Sequence, residues 1–565
     1  MRFLSILTLL GLCSYALAGV TVQKPGLAVP ARYQSNRDAA EKIFVTTYNA
    51  YKEFAFGHDE LLPISKSFQD DLGGWGASIV DAMVHYLVHS GNSASEYLHA
   101  ISEYNGAFLI GPEQSPIYGN NSSSWVSMIS SMRQSTFSSQ IDFNTIPAGG
   151  TVSVFETTIR FVGGLLSAYE LSGEKHPILL QKAKQVADKL AFSWVGDNVI
   201  NFGHIDFSDN TPEIAVTNIA EAGTLSLEWF TLSKFTGNAT YGDLTSKSVE
   251  HIANLPAPLP GLAAQLIDPT SGQFADANVT WGGGSDSYFE YLLKYARLTN
   301  TNNNIFIDTW KTAIDSSIKT LLKTSTVGNH AYLAALDDQG LIQHVGSHLA
   351  CFYAGNWLLG GKLVKNQTII DIALELNDGC WNTYASTATG IGPEDFAFIS
   401  SDGNFTGGDA ITADQLAFYN QHGFYITDPT YHQRPEVLES NFYAWRITGD
   451  TKYLDRAAAA IASFNKFLPP PDGVAFACLN NVNDPAAGFI DLTESFWFAE
   501  VLKYLYLTFD DPEHISLDDY VFNTECHPLK APPALDSYAG SGTLIPQKPF
   551  TAHTVGGPLP VISPI

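Results

Sequence analysis

The chain has 565 residues, with 57 acids against 30 bases and a formal net charge of −27 at pH 7. This charge excludes nucleic acid as a partner, because phosphates are bound by basic patches. Hydrophobic residues make up 45% of the chain, which is enough for a large core, and we predict one body over residues 36–530 rather than several domains.

Residues 1–18 have the pattern of a secretory signal peptide. A basic start precedes an apolar run, and Ala16-Leu17-Ala18 forms an Ala-x-Ala cleavage site before Gly19. The apolar run is too short to span a membrane, and no later segment is predicted to span one. Residues 19–35 are a short N-terminal extension. We expect a protein of the secretory pathway, secreted or extracellular, and Asn-x-Ser/Thr sequons support this at Asn120, Asn121, Asn238, Asn278, Asn366 and Asn404.

Seven apolar, aromatic runs with helical spacing recur along the chain. They begin near residues 75, 159, 222, 286, 348, 439 and 494, and each ends in a turn typical of a helix C-terminus. More polar helical segments lie between them, for example "PILLQKAKQVADKLAFSW" from residue 177. This alternation predicts an all-α toroid with inner and outer rings of helices, and an ordinary multi-helix bundle is the alternative. The Pro- and Gly-rich residues 531–565 are predicted to form a tail that packs loosely or stays mobile.

Four cysteines remain after the signal peptide is removed, namely Cys351, Cys380, Cys478 and Cys526. An oxidising compartment permits disulfides, and these cysteines allow three full pairings. Their spacing does not resemble a zinc site. The residues by themselves leave the pairing open.

The first candidate functional acids lie near predicted helix starts. Glu156 and Arg160 in "FETTIRFVGGLL" share a helix face, and their apolar neighbours make them either a structural ion pair or a tuned acid with its cation. Asp286 follows three glycines at a helix start, and Glu394 follows a Gly-Pro pair at another. The alternative is that each of these two acids has a structural role only, accepting hydrogen bonds from free backbone N–H groups or interacting favourably with the helix dipole.

Two further motifs place acids within apolar helices. In "QRPEVLES", Glu436 and Glu439 share a face beside Arg434, and two like charges there cost stability unless a cation, proton or ligand compensates. In "ESFWFAEVLKYLYL", Glu494 and Glu500 have aromatic neighbours that suit sugar stacking, although core packing is more common.

The motif "VFNTECHPL" adds Thr524 and Glu525. The hydroxyl and carbonyl oxygens of Thr524 suit a hard ion such as Ca²⁺, although no EF-hand pattern is present. The inner helices of a toroid could gather all these acids at one pore. Glycosidases use paired carboxylates as acid and base, or as acid and nucleophile, which predicts this class of chemistry.

An ordered set of motifs resembles a known family. "HDELLPIS", "FETTIR", "SDSYFEYLLK", "GPE", "RPEVLES", "ESFWFAEVLKYLYL" and "NTECHP" occur in the order found in class I α-1,2-mannosidases, glycoside hydrolase family 47. The resemblance covers about residues 35–530 and is strongest to the secreted fungal members.

The resemblance implies an (α/α)7 barrel with Ca²⁺ at the base of its pocket. It implies an exo-enzyme that removes terminal α-1,2-linked mannose from high-mannose oligosaccharides or glycoproteins, with inversion. We expect the enzyme to be a monomer. By the same resemblance Glu156 is the general acid, acting through water, Glu436 is the base, and Asp286 and Glu394 are the other catalytic acids. Sugar- or water-contacting positions are Arg160, Arg434, Glu439, Phe496, Glu500 and Glu525. Thr524 matches the Ca²⁺ ligand, and Cys351 and Cys380 match the family's disulfide.

The chain departs from the family pattern at two positions. Gly284 stands two residues before Asp286, where the endoplasmic-reticulum type has Arg, and without that side chain we expect broad trimming of several mannoses. Cys526 stands where Ala is expected, as a free thiol or as a partner of Cys478.

The alternative function is a lectin-like quality-control protein of the same superfamily, which binds mannose glycans and delivers misfolded proteins. The intact "NTE" motif and a final "VISPI" without an endoplasmic-reticulum retention signal favour the enzyme.

Overall fold

The computed structural model describes residues 19–90, 142–408 and 410–541. The predicted signal peptide, the sequons at Asn120 and Asn121 and the end of the predicted tail lie outside these residues. None of the described helices combines the length and apolarity that crossing a membrane requires.

Helices are the predominant regular secondary structure of the described chain. In chain order they are α1 (Gln34–Phe54), α2 (Ala77–Ser90), α3 (154–171, with a π-helical stretch Thr157–Val162), α4 (Pro177–Leu190), α5 (Ile219–Gly223), α6 (Ser226–Thr236), α7 (Thr240–Asn254), α8 (Asp286–Thr299), α9 (Ile305–Ser316), α10 (Phe352–Leu363), α11 (Gln367–Ala385), α12 (Ala413–His422), α13 (Glu436–Thr448), α14 (Lys452–Phe467) and α15 (497–509, beginning with the π-helical stretch Trp497–Val501).

Seven of these helices form a closed inner ring. Each of α2, α3, α6, α8, α10, α13 and α15 packs against the next, and α15 packs back against α2. Their side chains are buried almost all round, as in α13, where every residue from Glu436 to Ile447 is buried. A helix with apolar side chains all round its axis is stable only when other protein segments surround it, and for this reason the predicted aromatic runs form the inner ring.

The outer helices are amphipathic and cover the ring. In the described residues they are α1, α4, α7, α9, α11 and α14. Helix α14 shows the pattern, because its buried residues Tyr453, Leu454, Ala457, Ile461 and Phe464 recur at spacings of three and four. The predicted toroid of inner and outer helices is therefore confirmed, and the multi-helix bundle is wrong because the inner helices close into a ring.

The strands are short and connect the helices in small antiparallel sheets. They are β1 (Glu60–Leu62), β2 (Ser67–Gln69), β3 (Val152–Ser153), β4 (His204–Asp206), β5 (Thr211–Pro212), β6 (Thr217–Asn218), β7 (Leu266–Asp268), β8 (Gln273–Phe274), β9 (Leu322–Thr324), β10 (Ala331–Leu333), β11 (Ala335–Leu336), β12 (Ile342–Gln343), β13 (Val345–Ser347), β14 (Asp395–Ala397), β15 (Tyr425–Asp428), β16 (Cys478–Leu479), β17 (Phe489–Ile490), β18 (Tyr520–Phe522) and β19 (Pro528–Lys530).

The β18–β19 hairpin enters the ring of inner helices. The Asn523 side chain donates to the carbonyl of Ile159 at 2.9 Å, Lys503 Nζ donates to the carbonyl of Cys526 at 2.8 Å, and Ser167 Oγ donates to the carbonyl of Pro528 at 2.8 Å. The close approach of the hairpin to α3 requires a glycine at position 163, because a Cβ there would lie 2.6 Å from the side-chain amide nitrogen of Asn523. The hairpin thereby carries Thr524 and Glu525 into the interior of the ring.

Cys351 and Cys380 form a disulfide that joins the start of α10 to α11, which confirms the pairing implied by the family resemblance. Cys478 and Cys526 are both free and buried. The alternative of a bond between Cys478 and Cys526 is therefore wrong.

The described part of the predicted tail, residues 531–541, packs against the barrel. Tyr538 is buried and its hydroxyl donates to the side chain of Asn300. The Ser541 hydroxyl donates to Asp308 Oδ2 at 2.6 Å, so this segment is held by polar contacts to the α8–α9 region.

Candidate active site

The predicted acids of the inner helices lie in their first turns. Glu156 is in the first turn of α3, Asp286 begins α8, Glu436 begins α13, and Glu500 lies in the π-helical start of α15. Their charges act on one another, because Glu436 acts on both Asp286 and Glu500, and Arg160, the partner of Glu156, also acts on Glu500. The four carboxyl groups thus come from separate parts of the chain to one cluster.

Arg160 links two of the predicted acids. Its guanidinium lies 2.8 Å from Glu156 Oε2 and 3.1 Å from Glu525 Oε1, and it stands 5.3 Å from the centre of the Phe496 ring. The same group donates to Ser495 Oγ at 3.2 Å. The structure therefore places the Glu156–Arg160 pair beside the hairpin loop and the aromatic start of α15.

Arg434 links two other predicted acids, Glu394 and Glu436. Its Nε lies 2.6 Å and 2.8 Å from the two oxygens of Glu394, and the charge of Glu436 also acts on it. Glu394 itself precedes strand β14, where Asp395 to Ala397 pair with β13 and β15. The expectation that Glu394 begins a helix is wrong, because backbone pairing with two strands takes up the segment that follows it.

Glu436 has a partner that the motifs did not reveal. His348 Nδ1 lies 2.6 Å from Glu436 Oε2, and His348 Nε2 lies 2.7 Å from the Tyr384 hydroxyl. Burial by itself raises the pKa of Glu436. The hydrogen bond from His348 and the charges of His348 and Arg434 lower it by more, so the pKa of Glu436 lies below its ordinary value. The sequence signal for His348 is weak, a single His before the apolar run of α10, because its partner is 88 residues away.

Asp286 has the opposite environment. Burial raises its pKa to about 7, and the neighbouring charges of Glu290 and Glu436 act in the same direction. Its Oδ1 accepts from the backbone N–H of Ser287 at 2.7 Å, whereas Ser285 makes no capping hydrogen bond. Asp286 Oδ1 also accepts from the Ser287 hydroxyl at 3.3 Å, so its contacts at the helix start are to Ser287, while the charges of other acids of the cluster act on it.

Three further predicted carboxyl groups act on one another, since the charges of Glu525 and Glu439 both act on Glu500, and Glu525 follows Thr524 in the hairpin. Burial raises the pKa of Glu439 and of Glu525 to about 8, and it raises that of Glu500 well above its ordinary value. The Tyr504 hydroxyl donates to Glu439 at 3.1 Å, and Glu525 Oε2 is buried without a hydrogen-bond partner among the described residues. Thr524 is half-buried at the hairpin tip, where its N–H donates to the Tyr291 hydroxyl at 3.2 Å.

Glu60 and Glu494 form a carboxyl pair at the edge of this cluster, and the sequence motifs did not reveal that these two residues are partners. Glu60 accepts from the Ser495 N–H at 3.0 Å and hydrogen-bonds to Glu494, and burial raises the pKa of both carboxyls. The charges of Arg160 and Arg434 both act on Glu494. The pair therefore lies between the two arginines.

Gly284, the position that departs from the family pattern, lies two residues before Asp286. Its φ of +82° is in the left-handed region, and a Cβ there would lie 2.9 Å from Gln265 Nε2. A larger side chain would thus need both a strained backbone and a displaced Gln265.

Comparisons with known proteins agree with this arrangement. Residues 43–531 match the family model "Glycosyl hydrolase family 47". The "Probable mannosyl-oligosaccharide alpha-1,2-mannosidase 1B" of Aspergillus clavatus is 35% identical over 548 residues, covering 92% of this chain and 98% of its own length. The "Mannosyl-oligosaccharide alpha-1,2-mannosidase 1B" of Aspergillus phoenicis is 34% identical over 518 residues, covering 88% of this chain and 92% of its own. The solved "alpha-1,2-mannosidase from Trichoderma reesei" superposes with a TM-score of 0.76 at 32% identity, covering 88% of this chain and 99% of that one.

Proposed function

This chain belongs to glycosyl hydrolase family 47, and we propose that it is a Ca²⁺-dependent, inverting exo-enzyme that removes terminal α-1,2-linked mannose from high-mannose N-glycans. It is a glycoside hydrolase, and the names of its relatives support α-1,2-mannosidase activity on mannosyl-oligosaccharides. The observation that carries the proposal is one cluster of acids and arginines. Arg160 contacts Glu156 and Glu525, and Arg434 contacts Glu394. The charge of Glu436 acts on Arg434, Asp286 and Glu500.

The residues around Thr524 fit a calcium ion. Glu525 follows Thr524 in the chain, and the charges of Glu525 and Glu439 act on Glu500. These three carboxyls offer only oxygen donors, the type that Ca²⁺ prefers. Burial makes their charged forms costly, and Glu525 Oε2 is buried without a hydrogen-bond donor among the described residues, although Oε1 of the same carboxyl contacts Arg160. Thr524 would hold the ion with its hydroxyl and carbonyl oxygens, and the three carboxylates would surround it. When bound, Ca²⁺ would orient sugar hydroxyls and water and offset the negative charge.

The roles of the acids follow from their surroundings. Glu436, kept ionised by His348 and Arg434, suits the base that takes a proton from the attacking water. Glu156 is the general acid of the proposal, and Arg160 fixes its orientation through the 2.9 Å contact between Nε and Oε2. Asp286 and Glu394 complete the set, with Arg434 holding Glu394 in a two-pronged contact.

The direct test uses the purified protein and a high-mannose oligosaccharide. We expect release of free mannose, first as the β-anomer, and loss of release when a chelator removes Ca²⁺. Appearance of the α-anomer first would contradict inversion, and activity that survives chelation would contradict the role of Ca²⁺. Glycan binding without release of mannose would favour the lectin-like alternative.

A separate prediction concerns stability without Ca²⁺. The carboxyls of Glu439 and Glu525 have ordinary pKa values of 4.5, and burial raises both to about 8 in the fold. Between these values the unfolded chain loses protons that the folded chain keeps, so the free energy of unfolding falls as pH rises from about 4.5 to 8.

Calcium should remove this loss, because it favours the ionised carboxylates. We expect the melting temperature with chelator to fall from pH 5 to pH 8, and the rise in melting temperature on adding Ca²⁺ to be larger at pH 8. At a free concentration of 100 Kd the ion should add about 2.7 kcal/mol. A Ca²⁺ effect of equal size at both pH values would contradict this account of the cluster.

A further inference from the structure

Three different metal-binding side chains meet at the edge of the carboxyl cluster. His432, Cys478 and Glu494 each offer one ligand atom, and these atoms all lie within 4.8 Å of one another. His432 Nδ1 and Glu494 Oε1 are 3.8 Å apart. None of the three has a place in the proposed mechanism.

The backbone holds these three residues in register. Tyr431 and Leu479 exchange two backbone hydrogen bonds of 3.0 Å, and this antiparallel bridge sets His432 opposite Cys478. The Glu494 N–H donates to the side-chain oxygen of Gln433 at 3.0 Å, which ties the third ligand to the same segment. The Cys478 N–H donates to the carbonyl of Leu492 at 3.1 Å. The three donors are therefore brought together by the fold and need only side-chain rotation to converge.

The donor set selects the kind of ion. A thiolate, an imidazole and a carboxylate are ligands of Zn²⁺ and similar thiophilic cations, whereas Ca²⁺ takes oxygen donors only. On a tetrahedral zinc, with bonds of about 2.0–2.3 Å, neighbouring donor atoms are about 3–4 Å apart. The 3.8 Å between His432 Nδ1 and Glu494 Oε1 already falls in this range, and all three donor atoms lie within 4.8 Å of one another. Cys478 is buried, while the side chains of His432 and Glu494 are 32% and 16% exposed, so an ion could enter from the solvent side and keep a water there.

The charges nearby permit a cation. Arg434 acts on Cys478 and Glu494, and Arg160 acts more strongly on Glu494. Both guanidinium groups are held by other carboxyls, since Arg434 contacts Glu394 and Arg160 contacts Glu156 and Glu525. Glu60 adds a second carboxyl against Glu494. The ion would displace the thiol proton of Cys478, and any proton shared by Glu60 and Glu494, to the solvent.

We propose that His432, Cys478 and Glu494 form a second metal site, distinct from the Ca²⁺ site, which takes Zn²⁺ or another thiophilic divalent cation and thereby inhibits the enzyme. Occupation draws Glu494 away from Glu60 and adds positive charge between Arg160 and Arg434, both of which are expected to contact the sugar. The inhibitory part rests on the proposed glycosidase function, whereas the binding part does not.

Binding is tested with Co²⁺ as a spectroscopic probe on the full-length protein in excess Ca²⁺. We expect a thiolate-to-cobalt charge-transfer band that Zn²⁺ abolishes by displacement. Cys478→Ala should remove the band, and the matched buried free thiol variant Cys526→Ala should keep it. His432 is half-exposed, so His432→Gln serves as a variant that keeps the fold, and it should weaken Co²⁺ binding at least about tenfold. Absence of the band in the wild type, or its persistence in His432→Gln at unchanged affinity, overturns the site.

Inhibition is tested by mannose release with and without Zn²⁺, each variant being compared with itself. We expect Zn²⁺ to inhibit the wild type and Cys526→Ala at the concentration that displaces Co²⁺, and His432→Gln to need at least about tenfold more. Equal inhibition of His432→Gln and wild type overturns the inhibitory role. If no variant releases mannose, the cobalt spectra still decide the binding site, so that result would count against the proposed function alone.

Discussion

Glu436→Gln is expected to lower kcat by about 10²–10⁴-fold, the usual contribution of a positioned general base. The amide can still contact His348, but it lacks the basic oxygen that the 2.6 Å contact with His348 and the charge of Arg434 keep ionised. The loss should appear in kcat, with little change in KM, because the substituted group acts on water and not on the sugar. Steady-state kinetics with a mannose disaccharide would measure both constants.

Glu228→Gln provides the matched control for that result. Glu228 is also a fully buried acid on an inner helix, and burial raises its pKa to about 7, so it is already mostly neutral at acidic pH. Its carboxyl accepts from the Tyr291 hydroxyl at 2.6 Å, a contact that an amide oxygen can keep. We expect kcat within a few-fold of wild type for this variant. Equal activity of Glu436→Gln and Glu228→Gln would remove Glu436 from the role of base.

Removal of the disulfide is expected to have the largest effect on stability. The bond joins residues 29 apart, and loss of its constraint on the unfolded chain should cost about 3–4 kcal/mol in the double variant Cys351→Ala/Cys380→Ala. The effect should reach the active site as well, since the carbonyl of Cys351 accepts from Ser440 Oγ at 2.6 Å and His348 lies three residues earlier. Denaturant unfolding and mannose release on the same samples would measure both consequences.

Cys478→Ala measures how much of the lost stability comes from removing a buried sulfur rather than from breaking the disulfide. Cys478 is as buried as the bonded cysteines but free, so its substitution removes one sulfur without releasing a constraint. We expect it to cost about 1 kcal/mol, well below the double variant. If the double variant is no less stable than two such substitutions together, the disulfide adds nothing beyond the packing of its sulfurs.

The order and type of the helices could be read from the sequence, because each inner helix carries its own apolar period and each outer helix its own amphipathic one. Glu394 shows where local reading fails. A Gly-Pro pair before an acid resembles a helix start, but the segment pairs with β13 and β15, which lie on either side of it in the chain. Strand pairing of this kind depends on distant partners and leaves little local signal.

Local sequence patterns also could not predict which residues contact the acids. Arg160 and Glu156, four residues apart on α3, were visible as a pair. Glu436 with His348, Glu60 with Glu494, and Glu525 with Arg160 were not, since each joins segments far apart in the chain.

The sequence by itself determined the all-α class, the identity and order of the acids, the two arginines and Thr524, because residue type and helical period are local properties. Only the tertiary structure decided which carboxyl lies beside which cation. That placement lowers the pKa of Glu436 while it raises those of Asp286, Glu439 and Glu525. The physical reason is that desolvation and Coulomb energy depend on burial and on distances of a few ångströms, and both exist only once the inner ring has closed.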